Sequence, residues 1–280
     1  MSLTYIAQRL FNTPLALHPM KAEVVIAALS DRLGITCSKA LLSEENEFNR
    51  KAKDCGYDVV EGVAVIPIQG TLVNKLGTLR PFSGMTGYDG IQANFLTALN
   101  DPSVRGICFD IDSPGGEVSG LFDLTDLIYN ARGEKPTCAI LSESAYSAAY
   151  ALASAADRIY VPRTGNVGSI GVVVIHYDLS QQLEKSGVKP TIIKCGAKKA
   201  DGNPFSPLPD DVREEIQGRV DADGELFFTT VSRNRGVSVD AIRGLEAACF
   251  RAERGAQLGL ADEVISPDAA FLQFLKQLEK

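Results

Sequence analysis

The chain has 280 residues, 45% of them hydrophobic and 22% charged, which is enough apolar sequence to bury one large core or two modest ones and excludes a disordered chain. Its formal net charge of −7 removes the general electrostatic attraction to DNA, RNA or anionic membranes, so no nucleic acid is expected as a partner. Cys37, Cys55, Cys108, Cys138, Cys195 and Cys249 form no CxxC pair and no compact framework, so they read as free thiols in a reducing cytosol. No run approaches the roughly 18 consecutive apolar residues of a membrane span, and the N-terminus lacks a basic stretch followed by an apolar one. A cytoplasmic chain without a membrane anchor is the expectation.

In chain order, residues 1–55 separate from the rest. Lys21–Leu33 has Val24, Val25, Ala28 and Leu29 at helical spacing, and Ser43–Lys53 is charged without a core pattern, which predicts a helical N-terminal arm and a linker. From Val63 onward short apolar runs alternate with amphipathic ones. The runs at Val63–Ile68, Gly106–Ile111, Thr137–Leu141, Ser169–Ile175 and Thr191–Lys194 read as strands, and Gly90–Leu99, Val118–Asn130, Ser147–Ala155, Leu179–Lys185 and Asp211–Asn234 as helices. Pro209 with Asp210 or Asp211 marks the start of the longest helix and Gly236 its end. The class is α/β with crossover helices, in a domain over 56–266, followed by a helix within 267–280. The stretch Gly70–Gly87, with four glycines, is long for a connection and reads as a flap over a site.

Four motifs carry chemistry. Asp112-Ser-Pro-Gly-Gly116 follows a predicted strand and opens the predicted helix from Val118, so the N–H groups of Gly115 and Gly116 can face an oxyanion. A tight turn with no ligand is the alternative. Ser147 stands at a predicted helix start among small residues, where its hydroxyl can face a cleft and the Ala148 N–H can serve as a second donor; a plain N-cap is the alternative, and Ser142, Ser144 and Ser154 compete with it. Cys195-Gly-Ala-Lys-Lys-Ala200 offers an amine. A solvated lysine, with a pKa of about 10.4, is a poor base at neutral pH, but burial lowers that value. Lys199 reads as such a base or, with Lys194 and Lys198, as a surface group. Gly165-Asn-Val-Gly-Ser-Ile-Gly171 carries Ser169, which can orient a nearby amine or simply satisfy the start of a strand. No GxGxxG or GxxxxGK[ST] occurs, and His18 and His176 read as structural or surface residues, so neither a cofactor nor a metal is expected.

Ser113-Pro-Gly-Gly116, Ser144-Ala-Tyr-Ser-Ala-Ala-Tyr150, Gly168-Ser-Ile-Gly171 and Gly196-Ala-Lys-Lys199 occur in the order and spacing that resembles the signal peptide peptidase A family of serine peptidases. Asp201–Arg213, Phe11–Pro19 and Gly84–Tyr88 look most like its bacteriophage branch, the capsid-maturation proteases of lambda-like phages. The resemblance implies a ClpP/crotonase-like fold of stacked ββα units and a Ser-Lys dyad with Ser147 as nucleophile, Lys199 as base and Ser169 positioning the lysine. It further implies an oxyanion hole from the amides at Gly115, Gly116 and Ala148. The implied function is an endopeptidase cleaving scaffold or capsid proteins during phage head maturation, as a homo-oligomer in the host cytoplasm or inside the procapsid. The alternatives are a peptidase acting on signal or membrane peptides, a crotonase-type acyl-CoA enzyme, and a catalytically silent capsid component.

Overall fold

The computed structural model describes residues 13–18 and 55–279, so the predicted helix at Lys21–Leu33 and the linker after it lie outside the described residues. Twelve strands are described: β1 (Leu15–Leu17), β2 (Asp58–Val60), β3 (Val63–Gln69), β4 (Thr71–Val73), β5 (Met85–Gly87), β6 (Gly106–Ser113), β7 (Gly115–Glu117), β8 (Thr137–Tyr146), β9 (Arg158–Val161), β10 (Asn166–Gly168), β11 (Cys249–Arg251) and β12 (Glu263–Val264). The described helices are α1 (Tyr88–Asn100), α2 (Leu121–Asn130), α3 (Ala148–Ala155), α4 (Ser180–Lys185), α5 (Asp210–Arg235), α6 (Val239–Arg243), α7 (Ala252–Gln257) and α8 (Pro267–Gln277). The α/β class expected from the sequence is the one observed.

The main sheet runs β11-β10-β8-β6-β3-β2, with β9 on β8 and β12 on β9. Its centre is parallel, with Val63–Gln69 beside Gly106–Asp112 and Ile107–Ile111 beside Thr137–Leu141. These strands are apolar almost throughout because both faces are covered. On one side Ile66, Ile68, Phe95, Ile107, Phe109 and Ile111 are buried in the larger core; on the other, Val63, Cys108, Cys138, Ile140 and Tyr160 pack against Ala270 and Phe274 of α8. Full burial of each large apolar side chain contributes about 1.5–3 kcal/mol. A register shift between Ile111 and Ser113 then sets Ser113 beside Ala145. That irregularity, of the bulge type that re-aims chains at sites, delivers the Pro-Gly-Gly turn next to Ser147.

A second sheet has the order β1-β7-β4-β5. It corrects three expectations. Gly115–Glu117 is a strand, and the helix begins only at Leu121 after left-handed Gly120, so the glycine pair does not sit at a helix N-terminus. Gly70–Gly87 is not a free flap: its ends are β4 and β5, and its middle is held where the Asp89 carboxylate accepts from the N–H groups of Leu76 and Gly77 at 3.0 and 2.9 Å. Leu15–Leu17 is a fully buried strand inserted in the sheet rather than part of a helical arm.

Two predicted strands are absent. In place of Ser169–Ile175 the strand is Asn166–Gly168, and Thr191–Lys194 is irregular and exposed, with Ile193 at 95% exposure. The β-branched residues favour extended backbone, but both edges of β10 are already taken by β8 and β11, and propensity without a partner strand makes no sheet. Residues 171–209 therefore form an excursion of exposed or half-buried residues, carrying α4 and a single turn of tighter helix at Ala197–Ala200. Among the described residues no helix is long and apolar enough to cross a membrane, and no group of three His, Cys, Asp or Glu side chains could hold a metal ion.

Candidate active site

Ser147 links β8 to α3 with φ 52° and ψ −118°. A non-glycine residue in this sparsely populated region costs about 1–3 kcal/mol, and such strain at a strand-to-helix turn is how a fold aims a nucleophile. Ser147 is 1% exposed, its N–H donates to the Gly168 carbonyl at 2.8 Å, and its side chain makes no capping bond to α3. The N-cap alternative therefore fails. The hydroxyl makes one long contact, 3.4 Å to the Gly171 carbonyl, and is otherwise uncommitted among the described residues. Of the competing serines, Ser142 is paired with Asp110 and Ser154 with the Ala151 carbonyl at 2.6 Å, while Ser144 has a contact as long as that of Ser147, 3.4 Å from the Asn166 amide.

The small residues after Ser147 bury α3 completely, with Ala148, Ala149, Ala151, Ala153 and Ala155 at 0% exposure. Its carboxyl end is held by Arg132, whose guanidinium donates to the carbonyls of Ala155 (2.9 Å), Ser154 (2.9 Å), Ala156 (2.6 Å) and Asn234 (3.3 Å). A cation here satisfies carbonyls that have no intrahelical partner and complements the helix dipole. Arg132 was not singled out in the sequence, because nothing in Ala131-Arg-Gly133 indicates which helix end lies above it.

At the glycine turn, a β-carbon on Gly115 would lie 3.0 Å from the Ser147 β-carbon and 2.2 Å from the Ala16 carbonyl oxygen, which places turn, serine and β1 against one another. Gly115 itself has φ 98°, and its N–H is occupied by the Ser113 hydroxyl at 3.2 Å. Gly116 is squeezed between β1 and β4, where a β-carbon would meet the Leu72 carbonyl oxygen at 1.9 Å. Ala148 is the first residue of α3, and its N–H has no carbonyl one turn earlier to receive it. Glu117 fixes the strand from its other end: its carboxylate accepts from Asn74 N–H at 2.7 Å and its carbonyl from the Tyr88 hydroxyl at 2.7 Å.

Ser169 also carries a positive φ, 56°, and is 5% exposed; its N–H donates to the Ala248 carbonyl at 3.0 Å. Parallel pairing of Tyr146 with Gly168 puts it beside the Ser147 turn. Lys199 is different. It lies on the exposed Ala197–Ala200 turn, which hydrogen-bonds within itself and reaches α5 through the Lys198 side chain, and its amine has no ion pair among the described residues. The single chain therefore unites Ser147, Gly115, Gly116, Ala148 and Ser169 and leaves Lys199 on a solvent-facing turn. Lys198 is paired with Glu215 at 2.5 Å, and that hydrogen bond raises its pKa, so its amine is held in the charged form.

Against known proteins, the chain is 43% identical over 282 residues to head-tail preconnector protein GP5 of Enterobacteria phage P21, an alignment covering 96% of this chain and 56% of that one. It is 43% identical over 281 residues to capsid assembly protease C of Escherichia phage lambda, covering 95% of this chain and 64% of the other. The chain thus spans only about half to two-thirds of the length of these relatives. Among solved structures, a point mutant of ClpP1 from Listeria monocytogenes matches with TM-score 0.45 and 12% identity over 72% of this chain and 91% of that one. Residues 130–279, a stretch that includes Ser147, Ser169 and Lys199, match the model of Peptidase family S49. The chain belongs to peptidase family S49.

Proposed function

We propose that the chain is a serine endopeptidase with Ser147 as nucleophile and Lys199 as general base. The observation that carries the reading is the strained, buried and uncapped Ser147 at the head of a fully buried helix, packed against a glycine strand that offers the Gly116 N–H to a developing oxyanion. In the reaction Ser147 Oγ attacks the peptide carbonyl, the amine takes the hydroxyl proton and returns it to the leaving amine, and water hydrolyses the ester. The amides of Gly116 and Ala148 stabilise the tetrahedral oxyanion, an effect worth about 100- to 1,000-fold per donor. Gly115 acts by shape, since its N–H is already engaged by Ser113.

A lysine works as a base near neutral pH only when stripped of solvent. Lys199 lies in an excursion that also exposes Val188, Ile192, Ile193 and Phe205, and packing of a second copy over this segment would bury those side chains and the amine together. Self-association is accordingly part of the proposal, as is Ser169 as the residue that positions the amine. Scaffold or capsid proteins of an assembling phage head are the proposed substrates, in the host cytoplasm or inside the procapsid, a reading supported by the two phage relatives, one of them a capsid assembly protease. The test is labelling by a fluorophosphonate probe followed by peptide mapping. Adduct at Ser147, lost in Ser147→Ala and strongly reduced in Lys199→Ala, is expected; an unlabelled Ser147 in the assembled protein would overturn the peptidase and favour a silent capsid component.

A further inference from the structure

The segment Thr13–His18 lies extended against the glycine strand, beside the Ser147 turn. Along one edge β1 runs antiparallel to the glycine strand, with Leu15 opposite Glu117, Ala16 opposite Gly116 and Leu17 opposite Gly115. His18 N–H donates to the Pro114 carbonyl at 2.8 Å and Val118 N–H to the Pro14 carbonyl at 3.3 Å. Bonded and non-bonded pairs alternate in an antiparallel ladder, so Ala16 and Gly116, midway between those two bonded pairs, form the bonded pair in which the Gly116 N–H meets the Ala16 carbonyl. Along the other edge Leu15 exchanges two 2.9 Å hydrogen bonds with Val173. The segment is thus clamped on both sides as an added strand, the arrangement by which sheets bind peptides through their main chains.

The side chains fit as well. Leu15, Ala16 and Leu17 are 3%, 0% and 4% exposed, and the His18 ring packs on Tyr146, the residue before the nucleophile, at 4.7 Å between centroids. The Ala16 carbonyl oxygen and the Ser147 β-carbon both lie against Gly115, 2.2 and 3.0 Å from where its β-carbon would be. The Ala16 carbonyl is thereby brought to the glycine strand on the side where Ser147 stands.

We infer that the chain is its own substrate, with Ser147 cutting between Ala16 and Leu17. Ser147 Oγ bonds to the Ala16 carbonyl carbon, the Ala16–Leu17 carbon–nitrogen bond breaks, and the hydroxyl proton passes through the base to the Leu17 nitrogen. Water then hydrolyses the Ala16 ester, leaving a carboxylate on Met1–Ala16, a new amino terminus at Leu17 and a vacated cleft. The inference rests on the proposed peptidase activity, deepens it by naming a preferred sequence, Leu-Ala before the cut and Leu-His after it, and implies that the cleft accepts other peptides only once its own segment has gone.

The experiment is intact-mass and N-terminal analysis of the purified full chain and of Ser147→Ala, with fluorophosphonate labelling and cleavage of a free peptide of sequence Asn-Thr-Pro-Leu-Ala-Leu-His-Pro measured in parallel. Loss of Met1–Ala16 from the parent, retention in Ser147→Ala, and cutting of the peptide after its alanine are expected. A parent chain that labels at Ser147 and cleaves the peptide yet keeps its N-terminus, or is cut at another bond, overturns self-cleavage while leaving the peptidase intact. Absence of labelling and of any cleavage removes the peptidase itself, and this inference with it.

Discussion

Replacing Gly116 with alanine tests the packing that holds the glycine strand. The added β-carbon would sit 1.9, 2.5 and 2.6 Å from the carbonyl oxygen, carbonyl carbon and α-carbon of Leu72, all backbone atoms that no rotamer change can move. Ordinary carbon–oxygen contacts lie at about 3.3–3.6 Å, so β7 and β4 must separate by about 1.5 Å. β4 has little freedom to retreat, because it is paired with β5 and its Thr71 N–H is bonded to the Gly84 carbonyl at 2.9 Å. Overpacking of this kind costs about 1–3 kcal/mol, a fall in Tm of about 2–12 °C for a domain of this size. The larger effect falls on chemistry: a donor misplaced by about 1 Å costs on the order of 100-fold. Thermal unfolding and the rate of fluorophosphonate labelling at Ser147 read the two effects separately. Gly218→Ala is the control, since that glycine lies within α5 with nothing within 4 Å of its β-carbon site, and it should gain about 0.5–1 kcal/mol with labelling unchanged. A Gly116→Ala protein as stable and as fast as its parent would refute the reasoning.

Arg132→Met strips the carbonyls at the end of α3 of their donors and should lower stability by about 2–3 kcal/mol in denaturant titration, with Arg132→Lys recovering only part because one ammonium cannot replace the forked donor. Ser147→Gly relieves the positive-φ strain and should melt higher than Ser147→Ala by about 1 kcal/mol, although both abolish labelling; equal melting temperatures would mean that the turn stores no strain. Burial pushes the Tyr88 and Tyr150 hydroxyls above their ordinary value of about 10. Their contribution is fully present below that value and is lost as pH rises beyond it, because the unfolded chain ionises first. Denaturation midpoints should therefore hold steady up to about pH 10 and fall above it, and a midpoint unchanged at about pH 11 would contradict the burial. Cys195 is exposed in the excursion that carries Lys199, while Cys108 and Cys138 are buried, Cys138 with its thiol pushed up by burial. A thiol reagent should modify Cys195 in dilute native protein and more slowly in concentrated protein, and reach Cys108 and Cys138 only on unfolding. A Cys195 rate independent of protein concentration would place the interface elsewhere.

The candidate site was legible where it is local. Ser147, the Pro-Gly-Gly turn and the Gly-Ser-Ile-Gly turn are named by short patterns, because a tight turn and a close backbone approach restrict residue types within a few positions of one another. The three central strands were legible because doubly covered parallel strands must be apolar throughout. Thr191–Lys194 misled for the same local reason: its β-branched residues report what the backbone prefers, and cannot report that both edges of β10 are occupied. The glycine turn misled in a second way, since Gly-Gly before an amphipathic run reads as a helix start, whereas pairing with β1 and β4 keeps it extended as far as Glu117.

The sequence by itself determined the class of fold, the candidate nucleophile and the glycine turn beside it, since each depends on the covalent neighbours of a residue and on alternating polarity along the chain. Tertiary structure alone decided three things: that Leu15–Leu17 crosses about a hundred positions to lie on the glycine strand, that Arg132 closes the helix that follows Ser147, and that Lys198 rather than Lys199 has a carboxylate partner. Those outcomes depend on which unsatisfied N–H, carbonyl or charge happens to face which after the sheets have packed, and no local pattern records the group on the far side of a core.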